Sequence, residues 1–154
     1  MIKKILIISL IFFGINQCGY SPIFSNNQNT NLNIKIIEIK GDEYINNYLK
    51  RRLNKYKDPD TEQTRFKISS EYYKNITSKN KKGNASSFEL SLTISFVTLE
   101  NNEIKNKNLS FTQNINIDAL DNKIKENEIE NDMKEMLADS ILNQAIQRLI
   151  YDLK

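Results

Sequence analysis

The chain has 154 residues, with 22 Lys and Arg against 19 Asp and Glu, and it contains no histidine. The formal charge of +3 includes two lysines of an N-terminal leader, so the remainder is nearly neutral and nucleic acid is not an expected partner. The commonest general base and metal ligand is missing, and no glycine-rich phosphate loop is present. The sequence therefore predicts no enzyme, no catalytic residue, no metal site and no cofactor.

The N-terminus has the parts of a secretion signal. Lys3 and Lys4 precede an apolar run at 5–15, which has about half of the 20 residues that a membrane-spanning helix needs. The single cysteine of the chain, Cys18, stands where this leader ends. A bacterial lipoprotein signal ends at such a cysteine, whose thiol is acylated before the leader is removed. We therefore expect a signal peptide at 1–17 and an acylated tether at 18–31 that begins with lipidated Cys18.

Gln17 departs from that signal, because a small residue usually precedes the cysteine. An uncleaved or otherwise processed leader is therefore the open alternative. A lone cysteine is commonly a small buried hydrophobe, but the position of Cys18 at the end of a leader outweighs that interpretation.

The remaining residues, 32–154, predict a single domain that begins with a strand and a helix. Residues 32–40 alternate between apolar and polar, and Ile37 breaks the alternation, which indicates either a β-bulge or a strand partly covered on both faces. Asp42 is a suitable N-cap for a helix that runs to about residue 55. Apolar residues form one stripe along this helix, and Asn46 is predicted on the opposite, exposed side.

Three further strands are predicted at 65–77, 86–99 and 107–117, each with alternating apolar residues. Their short connections favour an antiparallel meander, in which the polar segment 78–85 forms the turn of a long hairpin. Polar residues in the best strand predict a sheet face that is open to water or to a partner, and these residues are Glu89, Ser91, Thr93 and Ser95.

The last predicted element is a helix from about residue 126 to residue 153. Its apolar stripe, from Ile129 to Leu149, is widened by Met136 and other residues, which leaves room for a partner surface beside the core. Together these elements predict an α+β fold. It is a two-layer sandwich in β-α-β-β-β-α order, with two helices packed on one face of a four-stranded sheet.

The junction at residues 18–24, Cys-Gly-Tyr-Ser-Pro-Ile-Phe, followed by this element order, resembles the LptE family of lipopolysaccharide-assembly lipoproteins. The resemblance implies a non-enzymatic protein on the periplasmic side of the outer membrane of a Gram-negative bacterium, held there by its acyl anchor. It also implies two partners. One is an LptD-like outer-membrane β-barrel, which the protein plugs and helps to assemble, and the other is lipopolysaccharide.

Lipopolysaccharide carries phosphates, so a surface that binds it needs cations. The densest basic cluster on a predicted projection lies at the hairpin turn, and its members are the candidate lipopolysaccharide-binding residues Lys79, Lys81 and Lys82. Lys50, Arg51 and Arg52 in the first helix form the second cluster. Either cluster could instead be an ordinary solvated charge run, which is the commoner meaning of such a pattern.

Two other functions fit the same sequence. A periplasmic lipoprotein scaffold, such as a pilotin for another outer-membrane machine, would use the wide stripe of the last helix. A small lipid carrier would instead hold its ligand in a pocket between helices and sheet.

Overall fold

The computed structural model describes residues 33–56, 63–100 and 103–152. The predicted signal peptide, Cys18 and the tether lie outside these residues and stay predictions. The elements, in chain order, are β1 (Asn33–Lys40), α1 (Glu43–Leu53) with a 3-10 turn (Asn54–Tyr56), β2 (Gln63–Lys79), β3 (Ala85–Glu100), β4 (Glu103–Asp118) and α2 (Lys123–Asp152). This is the predicted β-α-β-β-β-α order.

The four strands form one mixed sheet in the order β1-β2-β3-β4. Strand β1 runs parallel to β2, and the remaining pairs are antiparallel. A parallel pair needs a long crossover, which α1 and the segment after it supply, whereas tight turns suffice for the meander. Strand β4 begins earlier than predicted, because Ile104 already pairs with Leu99 of β3. The sequence alternates between apolar and polar residues only weakly in this part of the strand.

Of the two alternatives for Ile37, the structure shows the bulge in β1. Ile36 pairs with Phe66 and Glu38 pairs with the next residue, Lys67, so Ile37 has no partner in β2. Its side chain is turned outward and is 46% exposed. The bulge resets the alternation, which allows Ile34 and Ile39 to meet the core side of the sheet although they are an odd number of residues apart.

Both helices cover one face of the sheet, as predicted. In β3 every second residue from Leu90 to Phe96 is buried, and these side chains form one core with Ile45 and Leu49 of α1 and Ile141 of α2. The opposite face carries the polar residues that alternation predicts. Among the described residues, no helix combines the length and the hydropathy that crossing a bilayer requires.

The prediction for Asn46 was wrong. Its side chain is buried against the sheet, where its Oδ1 accepts a hydrogen bond from the Ser70 hydroxyl at 3.0 Å. An amide can face a sheet in this way because a polar group inside β2 satisfies it. The widened stripe of α2 is buried only in part, since Met136 is 46% exposed.

Candidate functional site

The β2–β3 hairpin ends in a turn that Asn80 holds in place. Its N–H donates to the Asn84 carbonyl at 2.8 Å, and its own carbonyl accepts from the Gly83 N–H at 2.9 Å. Its side-chain Oδ1 accepts from the N–H groups of Lys82 and Asn84. Gly83 has a φ of 83°, a left-handed conformation that glycine adopts without a steric penalty. The turn is therefore an ordered structure.

The structure places all three predicted lysines at this turn, which we call the hairpin tip (residues 79–84). Lys79 ends β2 opposite Ala85, and Lys81 and Lys82 lie in the turn. All three are exposed, and no ion pair joins them to a carboxylate of the described residues. No Asp or Glu occurs at 75–87 either. The tip is thus a compact group of like charges that can attract a multiply charged anion such as a phosphorylated ligand.

The hairpin tip stands clear of the helical layer. Ile76 points to the same side as the core residues and pairs with Phe88, yet it is 53% exposed. The polar contacts that tie β2 to α2 nearest the tip are those of Lys74, two residues before Ile76. The lysines therefore lie on a projection, as predicted, and both faces of that projection are accessible.

At the base of the projection Lys74 bridges two acidic residues of α2. Its Nζ donates to Glu126 Oε1 at 3.2 Å and to Glu130 Oε2 at 2.8 Å. The N–H of Leu120 and the Lys123 ammonium also donate to Glu126, and together with Lys74 they lower the pKa of this buried carboxyl to about 2. We call Lys74, Glu126 and Glu130 the basal network. It joins the root of the hairpin to the first turns of α2.

Tyr72 and Lys134 extend the basal network toward the core. The Tyr72 hydroxyl donates to Glu130 at 2.8 Å, and burial together with this bond raises the pKa of the phenol. Burial alone would raise the pKa of Glu130, but hydrogen bonds from Lys74 and Tyr72 lower it by more. The Lys134 ammonium lies 4.2 Å from the centre of the Tyr72 ring. Sequence reasoning missed this network, and the only local signal was Asn122, which caps α2 just before Glu126.

The structure breaks up the second predicted basic cluster. Arg52 makes a two-point ion pair with Asp139 of α2, with distances of 2.8 and 3.1 Å. Arg51 lies 3.5 Å from Glu135, and its guanidinium is 5.6 Å from the Tyr48 ring. These two arginines join α1 to α2, so they are engaged within the fold. Only Lys50 of this cluster has no ion-pair partner among the described residues.

The lipid-carrier alternative requires a pocket in the space between the helices and the sheet. That space is filled by residues with no exposed surface, such as Leu49, Leu90 and Ile141. A groove of about 670 Å³ instead lies at the outer edge of the sheet, between β1 and the end of α1 near Lys50. This arrangement gives no support to the lipid-carrier alternative.

Within the described part of the chain, no three carboxylate, cysteine or histidine side chains come together in a way that could hold a metal ion. The hairpin tip presents three exposed ammonium groups, and residues 79–84 contain no carboxylate, histidine or thiol. The arrangement can therefore bind and orient a charged partner.

Comparison with known proteins identifies a family for most of the chain. The sequence model of LptE, described as lipopolysaccharide-assembly, matches residues 26–145. This range includes every strand and most of α2. No curated protein matches the sequence.

The solved structures that this chain resembles include proteins from three bacteria. A Caulobacter crescentus CB15 protein described as a lipoprotein is 13% identical with a TM-score of 0.55, over 77% of this chain and 89% of that one. Rare lipoprotein B from Shewanella oneidensis is 21% identical with a TM-score of 0.49, over 79% of this chain and 100% of that one. For lipoprotein B from Nitrosomonas europaea the identity is 19%, the TM-score 0.43 and the coverage 77% and 81%. At such identities the Caulobacter match supports the fold and nothing further.

Proposed function

Because the chain belongs to the LptE family of lipopolysaccharide-assembly proteins, we propose that it is an outer-membrane lipoprotein that plugs an LptD-like β-barrel and contacts lipopolysaccharide through its hairpin tip. The family is non-catalytic and acts in lipopolysaccharide assembly, and this coarser role comes with membership. The barrel, the anchor and the tip contact are the proposed refinements. The family match over 26–145 is the observation that carries the proposal.

Lipidation of Cys18 is the proposed anchor. The apolar leader and its position before the only cysteine support it. Acyl chains contribute about 0.8 kcal/mol for each buried methylene group, so several chains on one residue hold a protein firmly at a bilayer. Because the leader directs export of the chain, an anchor at Cys18 would hold the exported domain on the periplasmic side of the membrane.

The hairpin tip is the proposed contact for lipopolysaccharide phosphates. Its three lysines are exposed on a projection, and no acidic residue lies in the surrounding segment. Ammonium groups bind phosphate as point charges through charge-assisted hydrogen bonds. The ordered backbone around Asn80 supports this role, since a held turn loses less conformational entropy when it binds.

A barrel lumen is a wet, polar environment, and the open face of the sheet suits it. This face carries hydroxyl and amide side chains, and not an apolar patch that would need a partner to exclude water from it.

Co-purification distinguishes the two candidate functions, because each predicts a different partner protein. A stable complex with an LptD-like barrel supports the plug, whereas recovery with a different barrel or ring supports the scaffold or pilotin.

The tip is tested by binding of purified full-length protein to lipopolysaccharide. Changing Lys79, Lys81 and Lys82 together to glutamate should weaken affinity by about tenfold or more, equivalent to about 1.4 kcal/mol, and the loss should shrink as salt rises. The matched control makes the same charge change at three exposed lysines elsewhere, Lys35, Lys55 and Lys125. Equal affinities of the two triple variants would remove the tip from the proposal.

The anchor is tested by the mass of the mature N-terminus. We expect cleavage before Cys18 and an added mass that corresponds to acyl chains. Cys18→Ser should release the protein from the membrane fraction. An intact leader on a functional protein would refute the proposed anchor.

A further inference from the structure

The open sheet face places an exposed aromatic ring beside a set of polar side chains. Tyr73 of β2 pairs with Ser91 of β3, which pairs with Asn114 of β4, so the three side chains form one row across the sheet. Tyr73 is 56% exposed. The neighbouring rows are Glu71, Thr93 and Thr112 on one side and Asn75, Glu89 and Asn116 on the other. We call these nine residues the platform.

Hydrogen bonds between strands hold four of the nine platform side chains in place. The Ser91 hydroxyl donates to Asn114 Oδ1 at 2.8 Å, and the hydroxyls of Thr93 and Thr112 lie 2.8 Å apart. Since the Asn114 carbonyl oxygen is used in this way, its NH₂ group is left to donate outward. The platform is therefore a prearranged surface of donors and acceptors around a flat ring.

These groups match the chemistry of a saccharide. One face of a pyranose is apolar and packs flat on an exposed aromatic ring, while its hydroxyls need donors and acceptors around that ring. Three amides, two carboxylates and three hydroxyls surround Tyr73. The carboxylates accept hydrogen bonds from sugar hydroxyls but repel phosphate, and the platform contains no cation to offset them.

The platform and the hairpin tip lie at different positions along one hairpin and differ in charge. Tyr73 and Lys79 lie six residues apart on β2, which corresponds to about 20 Å of strand. The basic tip is complementary to phosphates, and the acidic and amide platform is complementary to uncharged sugars, whose hydroxyls can donate to its carboxylates. A ligand with both parts would be bound in a single orientation.

We propose that the platform binds uncharged sugars in the core saccharide of the lipopolysaccharide whose phosphates are held at the hairpin tip. This inference rests on the proposed function, and it assigns the tip and the platform to different parts of one ligand. The saccharide lies over Tyr73 and is hydrogen-bonded by Asn75, Asn114 and Glu89. The phosphorylated end lies toward the tip.

The test compares two ligands, lipopolysaccharide with a complete core and lipid A, which has the phosphates but no core sugars. In the full-length protein, Tyr73→Ala should weaken binding of the core-bearing ligand by about fivefold to tenfold and leave lipid A binding unchanged. Tyr73→Phe keeps the ring and should retain most of the affinity. Tyr44→Ala is the matched control, since Tyr44 is also an exposed tyrosine but lies on α1, away from the platform.

Two readouts separate this inference from the function on which it rests. The effect of Tyr73→Ala should be insensitive to salt, because no charge is removed, whereas the glutamate variant of the tip should weaken both ligands in a salt-dependent way. If the tip variant weakens binding while Tyr73→Ala changes both ligands equally or neither, the platform is refuted and the tip stands. If the tip variant changes neither ligand, the tip contact itself fails.

Discussion

Glu126 and Lys74 are separated by 52 residues in the chain, yet the Lys74 Nζ lies 3.2 Å from the Glu126 Oε1. The side chain of Glu126 is 5% exposed and that of Lys74 is 23% exposed. A buried carboxylate needs such partners, because an unpaired charge in this position would be strongly destabilising. The pair therefore ties the start of α2 to β2 at the root of the projecting hairpin.

The first prediction concerns the acid stability of this contact. The pKa of the Glu126 carboxyl is about 2 in the folded protein, below the ordinary value of 4.5, so the charged form of Glu126 stabilises the fold. That contribution is complete above pH 4.5 and is lost as the pH falls from 4.5 toward 2. Glu126→Gln should lower the free energy of unfolding at pH 7 by about 1–2 kcal/mol. Urea unfolding from pH 7 to pH 2.5 measures both this loss and its pH dependence.

The acid dependence should be flatter in Glu126→Gln than in the unchanged protein, with a remainder due to Glu130, whose pKa is also lowered. Glu128→Gln serves as the control, because Glu128 lies on the same helix and is exposed. An unchanged slope in Glu126→Gln would contradict the assignment of the lowered pKa to this residue.

The second prediction compares two glycines with positive φ. At Gly41, where φ is 110°, an added Cβ would lie 1.8 Å from the carbonyl oxygen of Ser70. At Gly83, where φ is 83°, nothing lies within 4 Å of an added Cβ. Gly83→Ala should cost about 1 kcal/mol from the left-handed backbone alone, whereas Gly41→Ala should cost at least about 3 kcal/mol. Chemical denaturation of both variants measures the difference, and similar costs would show that β2 yields at Ser70.

The third prediction concerns the two sides of α2. Ile141 has no exposed surface, so Ile141→Ala should leave a cavity and cost about 3 kcal/mol of unfolding free energy. Met136 is 46% exposed, and Met136→Ala should cost less than about 1 kcal/mol. Thermal and urea unfolding give both values. A large cost at Met136 would mean that the exposed edge of the stripe is packed in solution.

The fourth prediction concerns the contact between the two helices. A double-mutant cycle with Arg52→Met and Asp139→Asn should give a coupling energy of about 0.5–1 kcal/mol that decreases with salt, since both side chains are about one-third exposed. The parallel cycle at Arg51 and Glu135 should give a smaller value, because that contact is a single one at 3.5 Å. Equal coupling in both cycles would contradict the role of the two-point geometry.

Periodicity, together with cap and turn residues, predicted the order and type of the main elements. The alternation from Leu90 to Phe96 and the three-to-four spacing of α2 each report a repeating environment, and burial follows that repeat directly. The break at Ile37 was visible for the same reason, and the strand pairing decided that it is a bulge. The tip lysines were also accessible to sequence reasoning, because residues within one turn are neighbours in any fold that forms the hairpin.

Contacts between distant residues were beyond such reasoning. Sequence patterns assigned Asn46 to solvent, because the buried hydroxyl that pairs with it, that of Ser70, belongs to another element. They also grouped Arg52 with a free basic cluster, although Asp139, 87 residues away, engages it. A sequence pattern shows whether a side chain is polar, but it does not predict which polar group that side chain contacts in the fold.

By itself, the sequence determined the element order, the buried side of each element and the local cluster of three lysines, because those properties depend on residues close together in the chain. It also supplied the leader and Cys18 on which the proposed anchor rests. Only the tertiary structure decided that Lys74 meets Glu126 and that Tyr73, Ser91 and Asn114 share one row. Those relationships depend on strand register and on how α2 lies against the sheet, and a shift of one residue in register would move each side chain to the other face.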